Sequence, residues 1–309
     1  MSVVIFADAD DPDTQFLDTQ FCSGNEVTYI RWGLSTDDYD LDADGAGWRL
    51  DVGGDRITSA DLDCADRVVF RRWRSSPPTS AVRATSRTAA RIAPFVERQW
   101  ESALLGLLHL SYRQRPQVWS RDPLRVDNKA VTLSVLSEVV PVPPYIVSTY
   151  VPTMAPALVL KSIATDQSVG ENERVTTLQV GTRDGGRREP CPAVLQRLIE
   201  CDREARIGYA FGRTAVIRQR KVHAATTDIR TATADRTPWH TTLFDRDARA
   251  VAGALGLEMF TADVLVDHDD VAWWIDVNPD GLFGVYDTGH MADLLRDCFS
   301  SHVDTAAKG

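Results

Sequence analysis

The sequence predicts a mixed α/β fold with α+β character, on three observations. Short apolar runs with strand-like alternation are interleaved with longer stretches of helical periodicity. Residues 203–220 and 261–278 each have the pattern of a β-hairpin. The length of 309 residues exceeds one average domain, so we expect two or three packed lobes.

The N-terminal part of the chain carries most of the early strand signals. Apolar runs predict strands at Val3–Ala7 and Asn25–Trp32, followed by a hairpin over residues 48–58. Residues 67–74 predict another short strand, which contains four arginines. The longest helical pattern covers residues 85–112, where Pro94 would split the helix or start a second one.

The middle of the chain alternates between helix, strand and loop signals. Asp127 is placed to cap a helix over residues 128–139, and the prolines from Pro141 onward end it. Strands are predicted at 145–149 and 157–162, and 193–199 is either a strand end or a helical turn. Residues 165–190 are polar and Gly-rich, which predicts a mobile segment over a site.

The C-terminal third contains the two hairpins and two helices. The hairpin of residues 203–220 turns at Gly212. Residues 245–255 predict a helix capped by Asp245 or Asp247 and ended by Gly256. The second hairpin turns over residues 267–270, and a last helix covers about 291–299.

The second hairpin carries the most informative polar residues. Asp276 and Asn278 are two positions apart on one strand, so their side chains leave the same face of the sheet. Asp263 lies on the partner strand and would point the same way. Two carboxylates and an amide oxygen are ligands that suit Mg²⁺. The hairpin therefore predicts a magnesium site.

Basic residues at two places indicate an anionic ligand. Arg71, Arg72 and Arg74 form a basic patch in an acidic protein and would contact an acidic substrate or phosphate. Lys161 closes an apolar strand, where a buried ammonium is costly unless an anion neutralises it.

Composition and motifs exclude several classes of protein. The net charge of −10 argues against a duplex nucleic-acid binder, and no apolar run approaches the ~20 residues of a membrane span. Five scattered cysteines without a CxxC, and no secretory segment, predict reduced thiols and a cytoplasmic location. The absence of G-x-G-x-x-G after the first strand, of G-x-S-x-G and of H-x-x-x-H disfavours dinucleotide, serine-hydrolase and zinc sites.

Several short motifs from residue 127 onward occur in an informative order. They are Asn128-Lys129 at a helix start, Lys161 at a strand end, a Gly-rich segment, Glu204-Ala-Arg206, Asp228-Ile-Arg230 and the Asp276-x-Asn-Pro strand. This order resembles the ATP-grasp superfamily, and most closely its ribosomal peptide maturases, the graspetide or microviridin-type synthetases. The resemblance covers nearly the whole chain, and Asp276 stands where the family strand usually carries Glu.

The resemblance implies the ATP-grasp fold in three parts. These are an N-terminal pre-ATP-grasp α/β lobe at 1–120, a central lobe at 121–200 and a C-terminal lobe with a metal site at 201–309. It also implies a ligase that uses ATP and Mg²⁺ to activate Asp or Glu side chains of a precursor peptide as acyl-phosphates. The products would be macrocycles with ω-ester or ω-amide links. The partner would be a precursor peptide with leader and core, and family likeness suggests a homodimer.

The resemblance assigns four groups of site residues. ATP would be bound by Lys129, Lys161, Gln196 and Glu200, and the metal by Asp263, Asp276 and Asn278. Catalysis would involve Arg206, Asp228 and Arg230, and substrate contacts would come from Arg71, Arg72, Arg74 and Glu204. Arg206 would stabilise charge on the transferred phosphoryl group, Arg230 would orient the substrate carboxylate, and residues 181–186 would close over the nucleotide.

Two other functions are compatible with the same residues. One is an ATP-dependent carboxylate–amine ligase that acts on a free amino acid or small peptide. The other is a non-catalytic nucleotide-binding or partner-binding protein on a degenerate ATP-grasp scaffold. Fold analogy alone does not choose between them.

Overall fold

A computed structural model gives the architecture of the chain. It describes residues 1–8, 16–17, 26–32, 39–44, 47–52, 54–71, 87–125, 128–152, 158–161, 168–169, 173–174, 178–180, 186, 188–201, 203–221, 234–281, 283 and 289–300. They form two compact units, one built mainly from residues 1–125 and the other mainly from residues 126–281. The division into three lobes stays a prediction. No helix in the described ranges is both long and apolar enough to cross a membrane.

The first unit contains two three-stranded sheets. The parallel sheet has strand order β2-β1-β6 and is made of β1 (Ser2–Asp8), β2 (Glu26–Trp32) and β6 (Arg67–Phe70). The antiparallel sheet is made of β3 (Tyr39–Ala43), β4 (Trp48–Val52) and β5 (Asp55–Thr58). The predicted strands are confirmed, but the last one ends at Phe70, and residues 72–74 of its predicted range lie outside the described residues. Strand β3 is an addition that the sequence did not indicate.

Helices cover the sheets of the first unit. They are α1 (Ser59–Cys64) and α2 (Arg87–Gln114), followed by a 3₁₀ turn at Pro116–Val118. Leu104 and Leu108 of α2 pack into the core with Phe6 and Trp119. The predicted split at Pro94 is wrong, because α2 runs through this residue. Phe95, an apolar residue of this helix, is 60% exposed.

The second unit contains a four-stranded antiparallel sheet of order β11-β8-β12-β7. Its strands are β7 (Tyr145–Tyr150), β8 (Leu158–Lys161), β11 (Leu178–Val180) and β12 (Arg188–Arg197). A two-stranded ribbon is formed by β9 (Ser168–Val169) and β10 (Glu173–Arg174). The segment of residues 165–190, predicted to be mobile over a site, thus contains strands that the sequence did not indicate, and β11 pairs with β8.

A five-stranded antiparallel sheet of order β15-β14-β13-β16-β17 is the other main element of the second unit. Its strands are β13 (Arg203–Ala210), β14 (Arg213–Lys221), β15 (Ala234–Pro238), β16 (Met259–Val266) and β17 (Ala272–Asn278). The helices of this unit are α3 (Lys129–Leu136) and α4 (Asp245–Leu255); in α5 (His290–Ser300), residues 290–294 belong to the second unit and residues 295–300 to the first. Both predicted hairpins are confirmed, and the first turns at Phe211-Gly212, where both residues have positive φ.

One face of the five-stranded sheet packs on helices. Ile207, Tyr209 and Phe260 leave the same face of the sheet and lie in one core cluster with Leu136 of α3 and Val251 of α4. Full burial of such side chains stabilises the fold by about 1.5–3 kcal/mol each. This apolar face fixes the sheet on its helices and leaves the opposite face for polar groups.

Two helix caps differ from the prediction. Asn128, rather than Asp127, caps α3: its side chain accepts hydrogen bonds from the N–H groups of Ala130 and Val131. Asp127 lies outside the described residues. In α4 the N-cap residue is Phe244, and Asp245 lies in the first turn of the helix. Gly256 ends α4 with φ of 60°, as expected for a glycine after a helix.

Candidate functional site

The second face of the five-stranded sheet carries a row of charged side chains. Arg206 on β13 is paired in register with Asp263 on β16, and Asp263 is paired with Asp276 on β17. Side chains of directly paired residues leave the same face of a sheet and lie about 4.5–5.5 Å apart at Cβ. We call the face that carries these three residues the polar face.

Arg206 is held at the buried end of this row. Its Nη1 donates to Asp263 Oδ1 at 2.8 Å, and its Nη2 donates to Thr261 Oγ1 at 2.8 Å. Side-chain exposure rises along the row, from 6% at Arg206 to 19% at Asp263 and 36% at Asp276. The row is therefore most exposed at Asp276 and least exposed at Arg206.

Lys129 reaches the open end of the row from the start of α3. Its Nζ lies 3.1 Å from Asp276 Oδ1 and 3.3 Å from Asp276 Oδ2. The Asn128 cap fixes the first turn of α3, and this fixes the backbone position from which Lys129 extends. Two adjacent residues, Asn128 and Lys129, therefore form the helix cap and one side of the site.

Lys161 comes to the same place from the four-stranded sheet. Its Nζ donates to the backbone carbonyl of Ile275 at 2.8 Å. Ile275 is the extra residue of a β-bulge, because Asp263 pairs with Asp276 whereas Val264 pairs with Trp274. The bulge turns a backbone oxygen of β17 toward a lysine that is itself buried.

The cations around Asp276 determine its protonation. Burial raises the pKa of the Asp276 carboxyl, but the charges of Lys129, Lys161 and Arg206 and the hydrogen bond from Lys129 outweigh burial. The pKa of this carboxyl therefore lies below its ordinary value, and Asp276 is ionised at neutral pH. An ionised carboxylate is the form that ligates a metal.

Asn278 follows Asp276 on the same face of β17. Its Oδ1 accepts a hydrogen bond from the backbone N–H of Asp280 at 3.1 Å, which fixes the turn after the strand. The donor set therefore consists of two carboxylates and one amide oxygen, all of them hard ligands that fit Mg²⁺. In the described part of the chain no three His, Cys, Asp or Glu side chains cluster, so a third protein ligand would be this amide.

Gln196 and Glu200 lie at the end of β12 and just after it. Gln196 is 2% exposed, and its Nε2 has no hydrogen-bond partner within the described ranges. Glu200 is exposed. The Nε2 group of Gln196 is therefore a donor available to an acceptor atom of a ligand.

The other predicted residues lie on the polar face, lie in the first unit or are not described. Glu204 precedes Arg206 by two positions on β13, so it shares the polar face, and it is buried. Arg71 is buried in the first unit and donates its backbone N–H to the Phe6 carbonyl. Four predicted residues and most of one predicted segment lie outside the described residues: Arg72, Arg74, Asp228, Arg230 and 181–185.

Two parts of the polar face were missed in the sequence. Thr261 is two positions before Asp263 and so shares its face, a signal that strand alternation could have given. The carbonyl of Ile275 enters the site only because of the bulge, for which the sequence has no marker. Fully buried Thr261 orients Arg206, and Ile275 orients Lys161.

Comparison with known proteins identifies the fold. No protein-family model matches the chain, and no curated protein matches it in sequence. Solved structures do match. The macrocyclase MdnC bound with precursor peptide MdnA, from Microcystis aeruginosa MRC, superposes with a TM-score of 0.69 at 16% identity, covering 96% of this chain and 99% of MdnC.

Two further structures support the same fold. A Chryseobacterium gregarium RiPP-associated ATP-grasp ligase, in complex with ADP and a leader and core peptide, gives a TM-score of 0.68 at 15% identity, covering 97% of this chain and 96% of the ligase. The ATP-grasp ligase PsnB was solved with a phosphomimetic variant of its minimal precursor, Mg and ADP. It superposes with a TM-score of 0.69 at 15% identity, covering 96% of this chain and 98% of PsnB. The chain has the ATP-grasp fold, as the order of its motifs predicted.

Proposed function

We propose that this protein is an ATP-dependent ligase that activates a side-chain carboxylate of a precursor peptide and joins it to a hydroxyl or amine of the same peptide. The observation that carries the proposal is the convergence of Lys129, Lys161 and Arg206 on Asp263 and Asp276. Three cations and two carboxylates around one point, on an ATP-grasp fold, suit a metal-bound triphosphate.

The residues of the polar face would divide the work of phosphoryl transfer. Asp263, Asp276 and Asn278 would hold Mg²⁺, which when bound neutralises charge on the phosphates. Lys129 and Lys161 would turn from Asp276 and Ile275 to phosphate oxygens as point charges. Arg206, fixed by Asp263 and Thr261, would stabilise the charge that develops on the transferred group.

The reaction would proceed in two balanced steps. An oxygen of the substrate carboxylate attacks the γ-phosphorus, the bond to the β-phosphate oxygen breaks, and ADP leaves. A hydroxyl or amine then attacks the acyl carbon, loses its proton, and phosphate leaves. The net change in the peptide is the loss of one water for each ester or amide formed. Because the acyl-phosphate would hydrolyse in water, the low exposure of Arg206 favours its survival.

The structural comparisons support a peptide rather than a free amino acid as substrate. MdnC, PsnB and the Chryseobacterium gregarium ligase were each solved with a precursor or a leader and core peptide, and each aligns over nearly its whole length with this chain. We expect no nucleic-acid or membrane partner, in keeping with the net charge of −10. A cytoplasmic location and a homodimer are expectations, and light scattering of the purified protein would test the dimer.

The direct test is mass spectrometry of a peptide after incubation with the protein and MgATP. The substrate is the product of a short neighbouring reading frame with Thr, Ser or Lys and Glu or Asp near its C-terminus. We expect the peptide to lose the mass of one water per ring, with one ADP formed per ring, and Asp276→Ala to form neither. An unchanged peptide together with ADP release on free amino acids would favour the small-molecule ligase. No ADP release with any acceptor would favour the non-catalytic alternative.

A further inference from the structure

A second row of polar side chains crosses the polar face next to Arg206. Glu204 on β13 is paired in register with Gln219 on β14, and Gln219 is paired with Arg236 on β15. Glu204 is two residues from Arg206 on the same strand, so both rows leave the same face of the sheet. An acceptor, an amide and a cation therefore stand side by side, one step along the strands from the row that contains Asp263.

Gln219 is the unexplained member of this second row. Its side chain is 2% exposed, and neither Nε2 nor Oε1 has a hydrogen-bond partner in the described part of the chain. A buried amide without partners lowers the stability of the folded protein, and such groups in native structures require an explanation. Its position beside Glu204 and Arg206 indicates that the explanation is a ligand.

We propose that Gln219 binds the backbone N–H and C=O of one residue of the substrate peptide, next to the carboxylate that is activated at Arg206; this rests on the proposed function. A primary amide offers one acceptor and two donors in one plane. The N–H and C=O of one residue in an extended backbone point to the same side and so match both unpartnered atoms. Glu204, which only accepts when ionised, would take the N–H or O–H of the acyl acceptor beside it.

The position of Gln219 favours the peptide substrate over the nucleotide base. An adenine ring also offers a donor and an acceptor. Gln219, however, lies on the far side of Arg206 from Asp276, Lys129 and Lys161, where the triphosphate is proposed to bind. Gln219 is thus placed beside the activated carboxylate of the substrate rather than beside the nucleotide.

The first experiment compares Gln219→Leu with the wild-type protein, using the precursor peptide and MgATP. Leu has a similar volume and no polar atoms, so the melting temperature should be unchanged or higher. The KM for the peptide should rise about tenfold, the loss for one unmatched hydrogen-bonding group, with the affinity for MgADP unchanged. Arg218→Ala is the matched control, because Arg218 is exposed on the opposite face of the same strand, and it should behave as wild type.

The second experiment replaces single peptide bonds of the precursor by esters, which removes one N–H donor at a time. At one position near the activated carboxylate, the ester should raise the KM of the wild type but not raise further that of Gln219→Leu. If the ester and Gln219→Leu raise the KM independently at every position, so that their effects multiply, Gln219 does not bind the backbone of the substrate.

The outcomes separate the two claims. If the wild type closes rings and Gln219→Leu does so with the same KM, this inference fails while the proposed function stands. If Gln219→Leu weakens MgADP instead, the residue is a nucleotide contact and the inference fails. If the wild type leaves every peptide unchanged, the proposed function fails and the inference fails with it. A lower melting temperature of Gln219→Leu would show that the amide has a structural role instead.

Discussion

The two faces of the five-stranded sheet differ although the same strands build them. One face presents Ile207, Tyr209 and Phe260 to α3 and α4, and every one of them is buried in an apolar cluster. The other presents Arg206, Asp263 and other polar residues, several of which are equally buried. Burial of polar groups lowers stability unless they are hydrogen-bonded, and on the polar face Arg206 is held by Asp263 and Thr261. The apolar face forms the core cluster of this sheet, whereas the polar face is the one that we propose binds a ligand.

The largest effect is expected from removing the metal ligands of the polar face. Asp276→Ala or Asn278→Ala should abolish ADP formation, because the remaining donors cannot hold Mg²⁺ against the phosphates. Circular dichroism should show a folded protein, since the Asp276 side chain is 36% exposed. Asp269→Ala, an exposed residue in the turn of the same hairpin, is the control and should keep full activity. Full activity of Asp276→Ala would remove the metal assignment.

A substitution on the apolar face should lower stability and leave the activity of the folded protein unchanged. Phe260 is fully buried, and its ring stacks on that of Tyr209 with centroids 5.0 Å apart. Phe260→Ala should lower the free energy of unfolding by about 3–5 kcal/mol, the usual loss for such a cavity. Urea denaturation measures this loss, and the kcat well below the melting temperature should stay near the wild-type value. A variant that keeps its stability and loses its rate would contradict the separation of the two faces.

Arg206 is a charged residue of the polar face that is as buried as a residue of the core. Arg206→Ala should lower kcat on the order of 10²-fold, as for one preorganised charge donor, and leave MgADP affinity largely intact. Steady-state kinetics and calorimetry separate the two quantities, and Arg206→Lys should recover part of the rate. If only nucleotide affinity changes, Arg206 serves binding rather than the transition state.

The smallest effect concerns α5, which packs Met291 against Gly208 at one end of the polar face. Burial lowers the pKa of His290, nearby His240 lowers it further, and Asp293 raises it less. His290 therefore binds a proton less readily in the folded protein than in the unfolded chain, where its pKa is 6.5. The free energy of unfolding consequently falls as the pH drops through 6.5. His290→Gln should flatten the loss of stability between pH 7.5 and 5.5 in urea melts. An identical slope in both proteins would contradict this.

Much of the fold and the core of the site could be predicted because they depend on local pattern. Alternation along β16 and β17 placed Asp263, Asp276 and Asn278 on one face, and the apolar run that ends at Lys161 predicted a buried ammonium. The order of motifs predicted the fold, which the structural comparisons confirm.

The remaining features depend on pairing between distant residues, which no local pattern specifies. The bulge at Ile275 sets which backbone oxygen meets Lys161, and it exists only relative to β16. The row of Glu204, Gln219 and Arg236 requires the registers of three strands, so Gln219 could not be singled out beforehand. The strands within residues 165–190 were missed for the same reason, because a polar segment gains its order from its partner strand.

The central claim, that the polar face binds a metal-bound nucleotide, is tested most directly by isothermal titration calorimetry with ADP in the presence and absence of Mg²⁺. We predict one ADP site per chain in the wild type and an affinity for ADP that rises when Mg²⁺ is added. In Asp276→Ala, Mg²⁺ should no longer raise the affinity for ADP. No heat with wild-type protein, or the same dependence on Mg²⁺ in both proteins, would contradict it.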